Sequence, residues 1–383
     1  MTFPSNFKKR FRLLGLGLLC AILALGCAGD SEYPENIILF IGDGMGVSHI
    51  TAGKIALGNM NLERFSIVGL VTTHSASRLV TESAAAATAL ATGHKAQNRM
   101  VSVSVDHRPL KTLFEYAKAQ GKTIGVVVTA PVTDATPAAF MAHAEDRRQR
   151  ADIAEQIANS DIDVLIGGGW AYFVPLANEG SHRKDQKNLL SVLEARMPVI
   201  LTDDKLSAHS GGRRLAALLA PEGLPKAADR DYSLARLTRI AIDILSKNRR
   251  GFVLMVEGSQ IDWAAHEQDH EGIIAEIIDF DEAVGAGLDF AQKNHGTLIA
   301  VTADHETGGL AVLDGSINNR QVSSTAFATT GHTASMVPIF ADGPGSSRFS
   351  GIQDNAQIGQ TLINLLLKKD IEPTSKIVDY VQE

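Results

Sequence analysis

Residues 36–46 read NIILFIGDGMG, an almost unbroken apolar run that ends in glycines around a single carboxylate, Asp43. The run from Asn36 to Gly42 has the length of a strand, and a strand that is apolar on both sides belongs in a sheet covered on both faces. The pattern recurs at TIGVVVTA from Thr123, DVLIGG from Asp163, FVLMVEG from Phe252, TLIAVTAD from Thr297 and MVPIFA from Met336. Between these runs the spacing predicts helices over 110–120, 148–159, 234–246, 272–292 and 358–368. Alternation of this kind gives an α/β class: a mostly parallel central β-sheet with helices on both faces, a three-layer sandwich. The stretch 174–231, rich in polar residues, Gly and Pro, is expected to hold surface loops and variable helices rather than a separate domain.

In an open parallel sheet, ligands collect beyond the carboxyl ends of the strands. Four of the runs end in residues of metal-binding type: the first in Asp43, the second in Asp134 and Thr136, the fourth in Glu257, and the fifth in Asp304 and His305. One such ending is ordinarily a cap for the next helix. Four together favour one shared site. In EGSQIDWAAHEQDH, Asp262, His266 and His270 are spaced to share one helical face, and spacing alone does not decide which histidines bind. In TTGHTASMVPIF, His332 sits on a glycine-bearing loop before a strand, which by itself says little in a chain with 12 histidines.

Residues 80–93, VTESAAAATALATG, raise a different question, because alanine methyls bury little area and make poor core material. Taken alone, the run reads as an alanine-rich core helix with Ser83 as its N-cap.

Composition narrows the chemistry. The chain has 383 residues, 45% of them hydrophobic, and a formal net charge of -7. It can bury a sizeable core, nothing suggests a nucleic-acid-binding role, and an anionic substrate needs a local positive site. Both cysteines, Cys20 and Cys27, lie in the first 27 residues, so any metal site beyond them is built from histidine and carboxylate. That leader carries Lys8, Lys9, Arg10 and Arg12 before the apolar run LLGLGLLCAILALG, the plan of an export signal too short for a comfortable membrane span. Its end, ALGC, resembles a bacterial lipoprotein processing site with Cys27 as the acylated residue, although Ala24 stands where a large aliphatic is usual. The expected organisation is an export signal over 1–27, a linker over 28–35 and a single catalytic domain over 36–383. The expected location is the periplasm of a Gram-negative bacterium, with a lipid anchor at Cys27; the alternative is secretion.

The segments IGDGMG, VTESAAAATALATG, DATPAAFMAHAEDR, EGSQIDWAAH, TADHETGG and GHTA stand in the order found in the alkaline phosphatase family, and together they span Asn36 to Phe340. The chain resembles a compact bacterial member of that superfamily. The resemblance implies an alkaline-phosphatase-like fold and hydrolysis of small phosphate monoesters through a phosphoserine intermediate on Ser83. The small residues would let a helix start close against the metals, its amides and dipole favouring phosphate. It implies two Zn2+ ions, one held by Asp43, Asp304 and His305, the other by Asp262, His266 and His332. It implies one Mg2+ held by Asp43, Thr136 and Glu257, with Asp134 orienting magnesium-bound water. Arg147 would grip phosphate bidentately, with its neighbour Arg148 as the rival for that role. Relatives are often homodimers, which makes a homodimer an expectation, although no interface can be read from the sequence.

Two departures from the family pattern carry expectations. Glu82 replaces the usual aspartate before the nucleophile, so Arg147 is expected to sit differently or more loosely. Trp263 stands where some relatives carry lysine or histidine, so phosphate is expected to be held less tightly. The competing readings are a phosphodiesterase or sulfatase of the same superfamily and a catalytically silent lipoprotein that binds phosphate or metal.

Overall fold

Asn36–Gly42 is strand β1, buried along all but its first residue and placed near the middle of a ten-stranded sheet. The computed structural model describes residues 32–208 and 211–369; the expected export signal, Cys27 and the first half of the linker lie outside the described residues. From Tyr33 onward the described residues form one compact unit.

The other strands follow in chain order. They are Ile67–Thr72 (β2), Thr123–Pro131 (β3), Val164–Gly168 (β4), Val199–Ile200 (β5), Leu215–Leu218 (β6), Phe252–Gly258 (β7) and Thr297–Thr302 (β8). Glu306–Thr307 (β9) pairs with His332–Thr333 (β12), and Leu310–Ser316 (β10) pairs with Gln321–Phe327 (β11), outside the main sheet. Val337–Asp342 (β13) and Gly351–Asp354 (β14) return to it. The sheet order is β14-β2-β13-β8-β1-β7-β3-β4-β6-β5. Every pairing in it is parallel except those of β13, which runs against both β2 and β8.

The helices are Val47–Leu57 (α1), Ser83–Thr92 (α2), Leu113–Ala119 (α3), Ala135–Met141 (α4), Arg150–Asn159 (α5), Leu189–Glu194 (α6), Asp203–Ala208 (α7), Leu234–Leu245 (α8), Gln260–His266 (α9), His270–Lys293 (α10) and Asn355–Leu366 (α11). None among the described residues is long and apolar enough to cross a membrane.

Strand β1 pairs with β7 on one side and β8 on the other, so two strands that follow one another in the chain are laid down on opposite sides of it. That is where loops splay apart and a crevice opens at the carboxyl ends. Four strands of the sheet, β2, β5, β6 and β14, were not legible in the alternating pattern. IVGLVT of β2 is only half buried, near the sheet edge, and the stretch 174–231, expected to be loops and helices, contributes β5 and β6 to the opposite edge.

Every residue of α2 is buried. The helix packs on α4 and α11, and at Gly359 of α11 an added Cβ would lie 2.2 Å from the carbonyl oxygen of Ala89. Larger side chains would hold these helices apart, so the alanines permit contact almost at backbone distance.

Candidate active site

The chain leaves β1 through Asp43 and then Gly44, whose φ of 71° places it in the left-handed region. A side chain at Gly44 would collide with Thr307 Oγ1 at 2.8 Å and crowd Asp262 at 3.0 Å, so glycine serves both conformation and approach. The Gly44 amide donates to Asp304 Oδ1 at 3.1 Å, as does the His305 amide at 2.9 Å. One oxygen of Asp304 is thus satisfied by backbone, and its other, Oδ2, is buried without a hydrogen-bond partner, as are Asp43 Oδ1 and Glu257 Oε2.

Around these oxygens one donor set closes. Nε2 of His305 lies 3.3 Å from Asp304 Oδ2 and 3.5 Å from Asp43 Oδ1. Ser83 Oγ is 3.4 Å from the same nitrogen. A Ser-His-Asp relay needs the serine and the carboxylate on opposite imidazole nitrogens. Here both crowd one nitrogen, while Nδ1 faces the Thr307 hydroxyl at 3.3 Å, which is the geometry of donors around an ion.

The second set gathers on α9. His266 Nε2 lies 3.3 Å from Asp262 Oδ2, and His332 Nε2 lies 3.6 Å from Asp262 Oδ1. The outer nitrogens meet backbone carbonyls, Nδ1 of His266 that of Thr330 and Nδ1 of His332 that of Thr81 at 3.0 Å. Such contacts fix the tautomer so that Nε2 offers its lone pair inward, and the two Nε2 atoms stand only 3.2 Å apart. His305 stacks on His332 with ring centroids 3.7 Å apart, which sets the two donor groups side by side. In each group, Asp43 with Asp304 and His305, and Asp262 with His266 and His332, one ligand atom per residue lies within 4.8 Å of the others.

His270 does not join them. The helix stops after His266, the chain turns through Gln268 at φ 57°, and Asp269 caps a new helix that begins at His270. The shared face read from spacing is interrupted by that turn.

Electrostatics describe a site in which buried carboxylates crowd one another. Burial and the nearby carboxylates of Asp304, Asp262 and Glu257 raise Asp43 well above its ordinary range. Burial, then Asp262, pushes Asp304 up to about 6. Burial and Asp134 raise Glu257, with the nearby hydroxyls of Ser259 and Thr136 opposing the rise in part. Glu257 stands beside Ile41 in the β1–β7 register, which brings it next to the turn that carries Asp43. Burial lowers His305 to about 4, keeping its imidazole neutral and its lone pair available. Bonding to Asp262 pushes His266 up to about 9, so with no cation bound its imidazole holds a proton toward Asp262, which a metal ion must displace before Nε2 can ligate. Orphaned buried oxygens, repelling carboxylates and convergent imidazole lone pairs are what divalent cations satisfy, so these residues fit metal ions.

The arginine corner lies beside this group. Arg147 donates from Nη1 to Glu82 Oε2 at 2.8 Å and from Nη2 to Asp134 Oδ1 at 3.1 Å. Glu82 also accepts from the Ala84, Ala85 and Arg99 amides. The longer side chain still docks Arg147, against the expectation of a looser seat. Glu82 rather than Ser83 is the N-cap of α2, and it occupies two of the amides expected to face phosphate. Arg148, the rival, pairs with Asp146 at the surface with its side chain 75% exposed. Trp263 packs its ring on Gly223.

Sequence reading missed Thr307, whose hydroxyl donates to Asp262 Oδ1, and Arg150, whose Nη2 reaches Asp134 Oδ1 at 2.9 Å. Thr307 stood inside TADHETGG, so the motif held the signal; Arg150 stood three residues beyond Arg147 with nothing local to distinguish it from Arg148.

A family model described as alkaline phosphatase matches residues 34–324. The chain is 40% identical over 306 residues to alkaline phosphatase 4 of Bacillus subtilis (strain 168), a match covering 74% of this chain and 64% of that protein. It is 32% identical to alkaline phosphatase 3 of the same organism, covering 88% of this chain and 90% of that one. Among solved structures it superimposes on alkaline phosphatase from the Antarctic bacterium TAB5 with a TM-score of 0.81 and 36% identity, covering 88% of this chain and 99% of that one. A histidine-to-aspartate variant of the TAB5 protein is described with magnesium bound in its M3 site.

Proposed function

The chain belongs to the alkaline phosphatase family, and from that premise we propose that it hydrolyses phosphate monoesters with Ser83 as the nucleophile. The observation that carries this reading is the meeting, in one buried corner, of Ser83 Oγ, the partnerless oxygens of Asp43 and Asp304, and His305 Nε2.

In this reading Asp43, Asp304 and His305 hold one zinc ion, and Asp262, His266 and His332 hold a second, imidazole and carboxylate being donors that suit zinc. Asp43, Thr136 and Glu257 offer only oxygen, the donor set of magnesium. When bound, these ions supply Lewis acidity that lowers the pKa of a hydroxyl and offsets charge on phosphoryl oxygens. The protein does the rest. Ser83 Oγ gives up its proton and forms a bond to phosphorus as the ester bond breaks, and the alcohol leaves carrying a proton. Water then attacks the phosphoserine, which releases inorganic phosphate and restores the hydroxyl. Arg147 grips two phosphoryl oxygens through a planar fork that Glu82 and Asp134 hold in one orientation. Asp134, at the start of α4, also stands where it can orient water near Thr136.

The test is acid-quenched turnover of a labelled monoester. Label trapped on Ser83, absent in Ser83→Ala and lost after chelation, supports the reading; full activity of Ser83→Ala sinks it. Comparing monoester, diester and sulfate esters of one phenol separates this activity from a diesterase or sulfatase. The leader sequence supports a periplasmic enzyme tethered at Cys27, for which palmitate labelling that disappears in Cys27→Ser is the check.

A further inference from the structure

Asp134 carries two arginines. Its Oδ1 accepts from Nη2 of Arg147 at 3.1 Å and from Nη2 of Arg150 at 2.9 Å. Arg147 lies between two carboxylates, Glu82 and Asp134. One guanidinium against two carboxylates leaves that corner net negative, a poor surface for a phosphate dianion. Arg150, reaching in from the first turn of α5, removes the imbalance.

The far side of Arg150 is also held. Its Nη1 donates to the Tyr172 hydroxyl at 2.9 Å, and the same nitrogen lies 3.7 Å from Glu222 Oε2. Tyr172 in turn bonds Glu222 Oε1 at 3.1 Å, and His182 Nδ1 stands 3.1 Å from that oxygen. Gly223 lies against Trp263, and a Cβ there would come within 2.6 Å of the indole. Trp263 therefore packs under the loop that presents Glu222. The Glu222 side chain is 44% exposed, so water screens it and it does not cancel Arg150 at the buried Asp134.

We propose that Arg150 is a positioning residue for the phosphoryl site: by neutralising Asp134 it frees the charge of Arg147 for phosphate, and by sharing Oδ1 it fixes the Arg147 fork. The inference rests on the phosphatase reading above. It brings a second cation to the corner from α5 rather than from position 263.

The experiment uses the full chain loaded with zinc and magnesium, and measures inhibition by inorganic phosphate, kcat and KM for p-nitrophenyl phosphate, and Tm. Arg150→Gln is expected to raise the phosphate inhibition constant and KM about tenfold, with a smaller change in kcat. Arg150→Lys, which keeps the charge, is expected to stay within about threefold of wild type, and Arg148→Gln to match wild type. Asp134→Asn combined with Arg150→Gln removes the buried carboxylate together with its partner, leaving Arg147 seated on Glu82 alone; phosphate is expected to inhibit it about threefold more tightly than it inhibits Arg150→Gln, while kcat stays below wild type. Unaltered phosphate inhibition in folded Arg150→Gln, a lysine variant as impaired as the glutamine one, or a double variant that stays about tenfold weak overturns the inference. A wild-type protein without monoesterase activity sinks the phosphatase reading instead.

Discussion

Glu82 Oε2 lies 2.8 Å from Nη1 of Arg147, and the same carboxylate caps α2 at the Ala84 and Ala85 amides. The residue that starts the serine helix thus also holds the arginine. Burial raises its pKa, but Arg147 and the amides outweigh burial and hold it below the ordinary value, so it is ionised throughout the neutral range.

Glu82→Ala should therefore cost twice. Loss of the cap is expected to lower stability by about 1 kcal/mol, and an arginine released on one side should lose kcat/KM by about ten- to a hundredfold. Glu82→Asp keeps both functions in a shorter side chain and is expected to stay within about threefold of wild type. Urea unfolding and steady-state kinetics read the two effects separately. Equal kinetics for all three proteins would show that the arginine is held without this contact.

Gly359→Ala tests the close helix contact. An alanine usually stabilises a helix relative to glycine, but here its methyl would lie 2.2 Å from Ala89 O. Separation of α11 from α2 is expected to cost about 2 kcal/mol and to lower kcat, because Ser83 sits on the displaced helix. A rise in Tm would contradict the packing account.

Asp304 gives a pH signature in chelator-treated protein. Burial and Asp262 raise its folded pKa to about 6 from an ordinary value of 3.8. Between those values the unfolded chain loses this proton while the folded chain keeps it, so rising pH favours unfolding. Relative to Asp304→Asn, the wild type is expected to lose stability as pH rises from about 4 to about 6, by about 2 kcal/mol, and to change no further above that. Thermal unfolding across this range measures it. A difference independent of pH would mean that Asp304 is not the buried acid described here.

Thr307→Val removes the hydroxyl that donates to Asp262 Oδ1. Partners behind a metal ligand typically tune affinity by about 10–100-fold, so zinc should leave the variant at a correspondingly lower chelator concentration, with the fold intact. Metal content after dialysis against graded chelator is the readout. Zinc retention equal to wild type would reduce Thr307 to a packing residue.

Much of the site was legible because its residues are tied to strand ends. Asp43, Glu257, Asp304 and His305 follow apolar runs whose burial is written locally, and a parallel sheet brings such ends together wherever they lie in the chain. The small residues of 83–92 likewise announced a helix that something must approach closely. Spacing failed at His270, because a single residue at positive φ breaks the helix between it and His266.

The sequence by itself therefore determined the central strands of the sheet, the chemical character of their carboxyl ends and the slender serine helix, since each follows from side-chain size and polarity over a few neighbouring residues. Only the tertiary structure decided that Arg147 is seated between Glu82 and Asp134 while Arg148 stays at the surface, that Glu82 reaches Arg147 with its extra methylene, and that Arg150 shares Asp134. Those outcomes depend on distances between segments far apart in the chain, and charge pairing falls off over a few ångströms that no local pattern records.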